Sequence, residues 1–61
     1  MVNLEDLKIG SLVKTDIGIG KIVRMATQEY CYFTGVEENL TVDCNGLYYE
    51  CTQKEVELYN E

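Results

Sequence analysis

The sequence has no histidine, no tryptophan and no proline, and Ser11 is its only serine. The lack of histidine excludes a histidine-based catalytic triad and a histidine general base. None of the cysteines lies beside a lysine or arginine in the sequence, the kind of neighbour that lowers a thiol pKa and makes it a nucleophile. We therefore predict a protein that is not an enzyme, with no catalytic residue and no cofactor.

Cysteine and long apolar runs are also scarce. Cys31, Cys44 and Cys51 are odd in number, form no CxxC pair and have spacings of 13 and 7 residues, which match no zinc finger or ribbon. We expect free thiols and no metal site. No stretch is apolar enough for a membrane helix, and the N-terminal residues lack the features of a secretory signal. Free thiols indicate a reducing compartment, so we expect a soluble cytoplasmic protein, acting in the host cytoplasm if a virus encodes it.

Basic residues are few, with five against eleven acidic residues and a net charge of −6. Four of the five basic residues lie within residues 1–24, and eight of the eleven acidic residues lie within residues 25–61. A negative field opposes direct nucleic-acid binding and favours a basic protein partner. The 61 residues allow one domain, over residues 1–61, with a core so small that we expect a homo-oligomer.

Short segments of β-forming residues follow one another along the chain. Val2 and Leu7 have the spacing of a hydrophobic staple around Asn3, a good N-cap, which predicts a short helical turn at the N-terminus. Thr52 and Glu55 have capping-box spacing, which predicts a one-turn helix before the last strand. Strands are predicted over residues 11–15, 21–26, 30–34, 40–44, 47–51 and 56–59.

The strongest local signal is Asn45-Gly46, which lies between two runs of alternating apolar and polar residues. This dipeptide predicts a two-residue type I′ turn and a hairpin in which the numbers of paired residues add up to 91. Cys44 and Cys51 then share a face but lie about 13 Å apart along the ladder, too far for a disulfide between them. One face of the hairpin, predicted to be the apolar core wall, carries Leu40, Val42, Cys44, Leu47, Tyr49 and Cys51, and the other carries Thr41, Asp43, Tyr48 and Glu50.

Two stretches resemble the opening of SH3-like barrels, a family that includes Tudor-type and KOW-type modules. K-I-G-S-L-V-K-T (residues 8–15) and G-I-G-K-I-V (residues 18–23) resemble its x-G-D-x-V…G-x-G-x-V pattern, with Ser11 where aspartate is usual. V-D-C-N-G (residues 42–46) through E-V-E-L (residues 55–58) is similar to the closing hairpin, one-turn helix and last strand. The resemblance implies a mainly β fold, a five-stranded SH3-like barrel, but it does not imply one function.

Tyrosines supply the candidate binding residues. Alternation along the predicted strand at residues 30–34 assigns Cys31 and Phe33 to the core and leaves Tyr30 and Tyr32 at least partly exposed. Exposed tyrosines suit an interface, and tyrosines beside carboxylates also suit a cage for a cation, as in Tudor-like domains. Packing and self-association are the simpler roles for these side chains. The predicted partner-binding residues are Tyr30, Tyr32, Tyr48, Asp43 and Glu50.

The leading hypothesis is a small non-enzymatic binding module, an inhibitor or adaptor that acts through protein–protein interaction. One alternative is a small oligomer that sequesters an anionic metabolite or nucleotide, as a viral anti-defence protein would, with tyrosines stacking on the base. Another alternative is an acidic mimic of nucleic acid. Ile17 and Ile19 in the first turn are either core or contact residues. The predicted anion-binding residues of the first alternative are Lys14, Lys21 and Arg24.

Overall fold

The computed structural model describes residues 4–59, apart from the side chains of Leu4 and Gln28, and shows one antiparallel sheet of five strands in the order β4-β3-β2-β1-β5. The predicted mainly β fold is confirmed. β4 and β5 are the two edges and do not pair with each other among the described residues, so the sheet is open. The strands are β1 (Leu12–Thr15), β2 (Gly18–Met25), β3 (Leu40–Cys44), β4 (Leu47–Cys51) and β5 (Glu57–Leu58).

Within residues 4–59, three helical segments accompany the sheet: a 3₁₀ turn at Leu4–Asp6, the helix α1 (Gln28–Thr34) and a second 3₁₀ turn at Gln53–Glu55. The predicted one-turn helix before the last strand is confirmed, but its capping box is not formed. The Thr52 hydroxyl donates to the Glu55 carboxylate at 3.2 Å and caps no backbone N–H. The N-terminal turn is also present, whereas Val2 and Asn3, on which its staple and cap depend, lie outside the described residues.

The hairpin of β3 and β4 has the predicted register, from Leu40 opposite Cys51 to Cys44 opposite Leu47. Asn45 and Gly46 have φ values of 57° and 92°, the left-handed conformation that a type I′ turn requires. The Gly46 N–H also donates to the Asp43 carboxylate at 2.8 Å. The residues of the turn and the alternating pattern of the strands therefore specify the same hairpin register.

The predicted apolar wall of this hairpin is correct except at its turn end. Leu40, Val42, Cys44 and Cys51 are buried, and Tyr49 packs against them at the margin of the core. Leu47 is 67% exposed, so its assignment to the core is wrong. It lies beside the turn on an edge strand, where no further strand covers its side chain.

The core is completed by side chains from the rest of the sheet and its connections: Leu7, Val13, Ile22 and Val56. β2 pairs with β1 through its first half and with β3 through its second half, with a register shift between Ile22 and Arg24. A Cβ atom at Gly20 would lie 2.6 Å from the Asp43 carbonyl oxygen, so only glycine permits this close approach of strands. Bulge and glycine together let β2 bend across both halves of the sheet.

The predicted strand over residues 30–34 is wrong, because these residues lie in α1. Thr27 caps the helix by accepting from the Tyr30 N–H at 3.0 Å, and Gly35, at φ 73°, donates to the Cys31 carbonyl at 2.9 Å. These two caps outweigh the β preference of the aromatic residues between them. The assignment of Cys31 and Phe33 to the core fails with the strand, since Phe33 is exposed and Cys31 only partly buried.

Ile17 and Ile19, for which the sequence allowed either a core or a contact role, are both exposed. Within the described part of the chain, no helix has the length and apolar character needed to cross a membrane.

Candidate protein-binding surface

Helix α1 holds its aromatic side chains in solvent. Tyr30, Tyr32 and Phe33 are 55%, 84% and 76% exposed, and no side chain described for residues 29–34 of the helix belongs to the buried core. Val36, just after the helix, is exposed as well. We call these four side chains the aromatic surface. A concentration of exposed apolar side chains is characteristic of interaction sites, and here consecutive residues place them around one short helix.

The sheet fixes both ends of the segment that carries the aromatic surface. The Ala26 N–H donates to the Asn39 carbonyl at 2.8 Å, which joins the end of β2 to the start of β3. The buried Asn39 amide also donates to the Gln53 side chain at 3.0 Å and accepts from the Gln53 N–H at 3.2 Å. Residues 27–38 therefore leave and re-enter the sheet at one fixed point beside the second 3₁₀ turn.

Within the aromatic surface, Tyr32 and Phe33 contact each other edge to face, with ring centroids 5.7 Å apart. Tyr32 and Val36 also line an open cleft of about 550 Å³ between α1 and the second 3₁₀ turn. Glu37 and Lys54 lie on the walls of the same cleft. The surface thus combines aromatic area with a concave site beside it, a combination that suits an anchor side chain of a partner.

The segment that carries the aromatic surface has charge of one sign, although Lys54 and Arg24 line the two clefts beside it. Residues 27–39 include Glu29, Glu37 and Glu38 and contain no lysine or arginine. All three glutamates are exposed. A partner that covers residues 27–39 therefore meets an excess of negative charge beside exposed aromatic side chains.

The predicted partner-binding residues fall in two places. Tyr30 and Tyr32 lie on α1, whereas Tyr48, Asp43 and Glu50 lie on the outer face of the β3–β4 hairpin, where Tyr48 is 69% exposed and stands opposite Asp43. Sequence reasoning missed Phe33 and Val36. The signal that would have found Phe33 is the pair of helix caps at Thr27 and Gly35, eight residues apart.

The predicted anion-binding residues each lie near an acidic residue. Lys21 stands opposite Asp43, and Lys14 stands opposite Glu57. Arg24 lies 4.0 Å from the Glu50 carboxylate. Its guanidinium also donates to the Thr41 hydroxyl at 3.2 Å and to the Glu38 carbonyl at 3.3 Å. The outer face of the sheet therefore carries mixed charge and not a concentrated positive patch.

All three thiols are free, and Cys44 and Cys51 form no disulfide with each other, in agreement with the hairpin register. Burial, and then the nearby Glu55 carboxylate, raise the pKa of Cys51 to about 11. Burial and the carboxylate of Asp16 likewise raise the pKa of Tyr49 above its ordinary value. Cys51 is thus a protonated core side chain at neutral pH. Over residues 4–59, no three histidine, cysteine or acidic side chains come together as a metal site.

Comparison of the chain with protein-family models, with curated proteins and with solved structures finds no match. Among residues 4–59, the acidic residues lie on separate elements, including the first 3₁₀ turn, α1, β3, β4 and β5. The concentration of exposed aromatic side chains on α1 is the feature that most clearly suggests a function.

Proposed function

We propose that this chain is a non-enzymatic binding module that holds a basic protein partner on its aromatic surface. The observation that carries the proposal is the exposure of Tyr30, Tyr32 and Phe33 on a helix that contributes nothing to the core. Aromatic side chains bury a large area at low entropic cost when a partner covers them, and they are enriched among residues that dominate binding energy. The stability of the fold alone does not explain these exposed aromatic side chains on α1.

The basic nature of the partner follows from charge. Glu29, Glu37 and Glu38 lie in the segment that carries the aromatic surface, and residues 27–39 contain no cation. Negative charge there therefore exceeds the positive charge that Lys54 and Arg24 bring to the adjoining clefts. Lysine and arginine side chains bind over aromatic rings and pair with carboxylates. Electrostatic attraction of this kind raises the association rate and weakens with salt.

We also propose that the module is an SH3-like barrel. The strand order β4-β3-β2-β1-β5, the bent β2 shared by both halves of the sheet, and the 3₁₀ turn directly before β5 support this assignment. Domains of this architecture serve many functions, so the barrel contributes a stable frame for α1 and does not name the partner.

The experiment is an NMR titration of the ¹⁵N-labelled chain with arginine- and lysine-rich peptides, and with acidic peptides of the same length. We expect shift changes confined to residues 27–39 and the cleft beside them, with binding that weakens as salt rises. Tyr32→Ser/Phe33→Ser should lower the affinity at least tenfold, whereas Ile9→Ser, at an exposed position outside the surface, should leave it unchanged. Equal binding of acidic peptides, or changes centred on Tyr48, would contradict the proposal.

One observation favours a second candidate, the binding of an anionic nucleotide. Arg24 and Tyr30 line the same open cleft of about 370 Å³, which places a cation beside an aromatic ring. The contacts of Arg24 with Thr41, Glu38 and Glu50 weigh against it, because they compete with a phosphate. Calorimetry with a nucleotide panel tests this candidate, and heat that disappears in Arg24→Gln would support it over peptide binding.

A further inference from the structure

β4 presents an unpaired backbone edge. The two-residue turn makes Cys44 and Leu47 the first hydrogen-bonded pair of the hairpin, so every second pair exchanges hydrogen bonds with β3. The backbone N–H and C=O groups of Tyr48 and Glu50 therefore point away from β3. Among the described residues, no other strand pairs with β4 and no hydrogen bond reaches these groups.

The edge also lacks the usual protection against strand pairing. β4 is five residues long with no proline, no bulge and one charged residue, Glu50. Leu47 and Tyr48 are both largely exposed on it. Natural sheets normally block such an edge with lysine, proline, a bulge or a covering segment, so this edge is available to another strand.

We infer that β4 of a second copy of this chain pairs antiparallel with β4, in a register symmetric about Tyr49. Antiparallel pairing requires that edge-facing residues meet edge-facing residues. Centring the two-fold axis on Tyr49 places Tyr48 opposite Glu50 of the second copy, and Glu50 opposite its Tyr48. Both pairs exchange two backbone hydrogen bonds. Centring on Glu50 places two carboxylates opposite each other, and cross-strand like charges are unfavourable.

The side chains are self-complementary in this register. On the core side, Leu47 comes to lie opposite Cys51 of the second copy, and the two Tyr49 rings lie side by side across the axis. Leu47 is the one member of the hairpin wall left exposed in the single chain, and the second copy covers it. On the outer side, each Tyr48 hydroxyl lies near a Glu50 carboxylate. A chain of 61 residues gains apolar burial that its own core lacks.

The dependence on salt distinguishes self-association through β4 from the binding of a basic partner. Each copy carries a net charge of −6, so the two copies repel each other and salt screens that repulsion. Self-association through β4 should therefore strengthen as salt rises, whereas binding on α1 should weaken. The two surfaces share no residue, so either proposal can fail while the other stands.

The first test is sedimentation equilibrium of the full chain over a range of concentrations and salt. The wild type should approach twice the mass of one chain. Glu50→Pro removes an edge N–H that makes no bond within the chain and should weaken association at least tenfold, while Glu50→Gln keeps the N–H and should associate. Leu47→Lys should also weaken association, and Ile9→Lys, at a similarly exposed site away from β4, should not. Circular dichroism of each variant checks that it folds.

The second test determines the register by cross-linking in a Cys31→Ser background. Facing Tyr49 residues form a non-hydrogen-bonded pair with Cα atoms about 4.5 Å apart, within the range of a disulfide. Tyr49→Cys should therefore give a disulfide-linked dimer on mild oxidation, whereas Tyr48→Cys should not. A wild type that stays monomeric, a Glu50→Pro variant that associates normally, or cross-linking through Tyr48→Cys would overturn the inference.

Discussion

The sheet and helix α1 are similarly apolar in sequence but opposite in burial. β3 buries Leu40, Val42 and Cys44, whereas α1 exposes Tyr30, Tyr32 and Phe33. In a strand, alternate residues share a face, so apolar residues at every second position all reach the core. In a helix, consecutive residues are separated by about 100°, so the four consecutive apolar residues 30–33 surround the axis and cannot all face the sheet. The number of apolar residues in a segment therefore does not predict their burial, whereas the interval at which they recur does.

Truncating one large apolar side chain in each region tests this difference in burial most directly. Ile22→Ala should cost about 2–5 kcal/mol of unfolding free energy, because it leaves a cavity in a fully buried site, and in so small a domain that loss approaches the whole stability. Phe33→Ala should cost less than about 0.5 kcal/mol, since its ring is exposed. Urea denaturation followed by circular dichroism measures both. Similar losses in the two variants would show that α1 packs as core.

The cysteines of α1 and of the sheet should differ in reactivity. Cys31 on α1 is partly exposed, whereas Cys51 is buried with its pKa raised to about 11. At pH 8, an alkylating reagent should modify Cys31 at least about 100-fold faster than Cys51, because Cys51 reacts only after unfolding. Mass spectrometry of the digested chain gives the two rates, and guanidinium should abolish the difference.

The same raised pKa predicts a pH dependence. The thiolate of Cys51 forms more readily in the unfolded chain, so this contribution to stability is complete below about pH 9 and is lost as pH rises toward 11. Unfolding free energy measured across that range should fall in the wild type, and Cys51→Ala should lose this part of the decline. An equally steep decline in Cys51→Ala would assign the effect to other groups.

Gly20 allows a test of how closely β2 packs against β3 within the sheet. A Cβ atom there would overlap the Asp43 carbonyl oxygen and the Cys44 sulfur, so Gly20→Ala should cost about 1–3 kcal/mol through overpacking. Lys21→Ala, at the exposed neighbouring position, should change stability by less than about 0.5 kcal/mol. Thermal unfolding of both variants tests this. A tolerated alanine at residue 20 would mean that β2 has room to move away from β3.

The smallest expected effect concerns the N-cap of α1. Thr27→Ala removes the acceptor of the Tyr30 N–H and should cost about 1 kcal/mol of helix stability, while Thr27→Ser retains the bond. Hydrogen exchange should speed up for the α1 amides and remain unchanged for those of β2 and β3, because no α1 residue belongs to the core. Faster exchange in the sheet would show that the two regions unfold together.

Local chemistry explains which predictions succeeded. Asn45-Gly46 specifies its turn through the backbone conformation of the two residues themselves, so the hairpin register followed from the sequence. The strand predicted at residues 30–34 failed because the aromatic residues resemble a strand, whereas the decisive caps, Thr27 and Gly35, lie outside it. The same error affects the candidate site. Tyr30 and Tyr32 are exposed, as predicted, but Phe33, which the predicted strand assigns to the core, is exposed as well.

The hairpin, the approximate positions of the other three strands and the imbalance of charge follow from the sequence alone, because each depends on neighbouring residues or on composition. Which apolar side chains remain outside the core depends on the tertiary structure. Leu47 is exposed because β4 is an edge strand, and Lys21 stands opposite Asp43 because β2 bends across to β3. Such outcomes depend on contacts between segments far apart in the chain, and no local pattern encodes them.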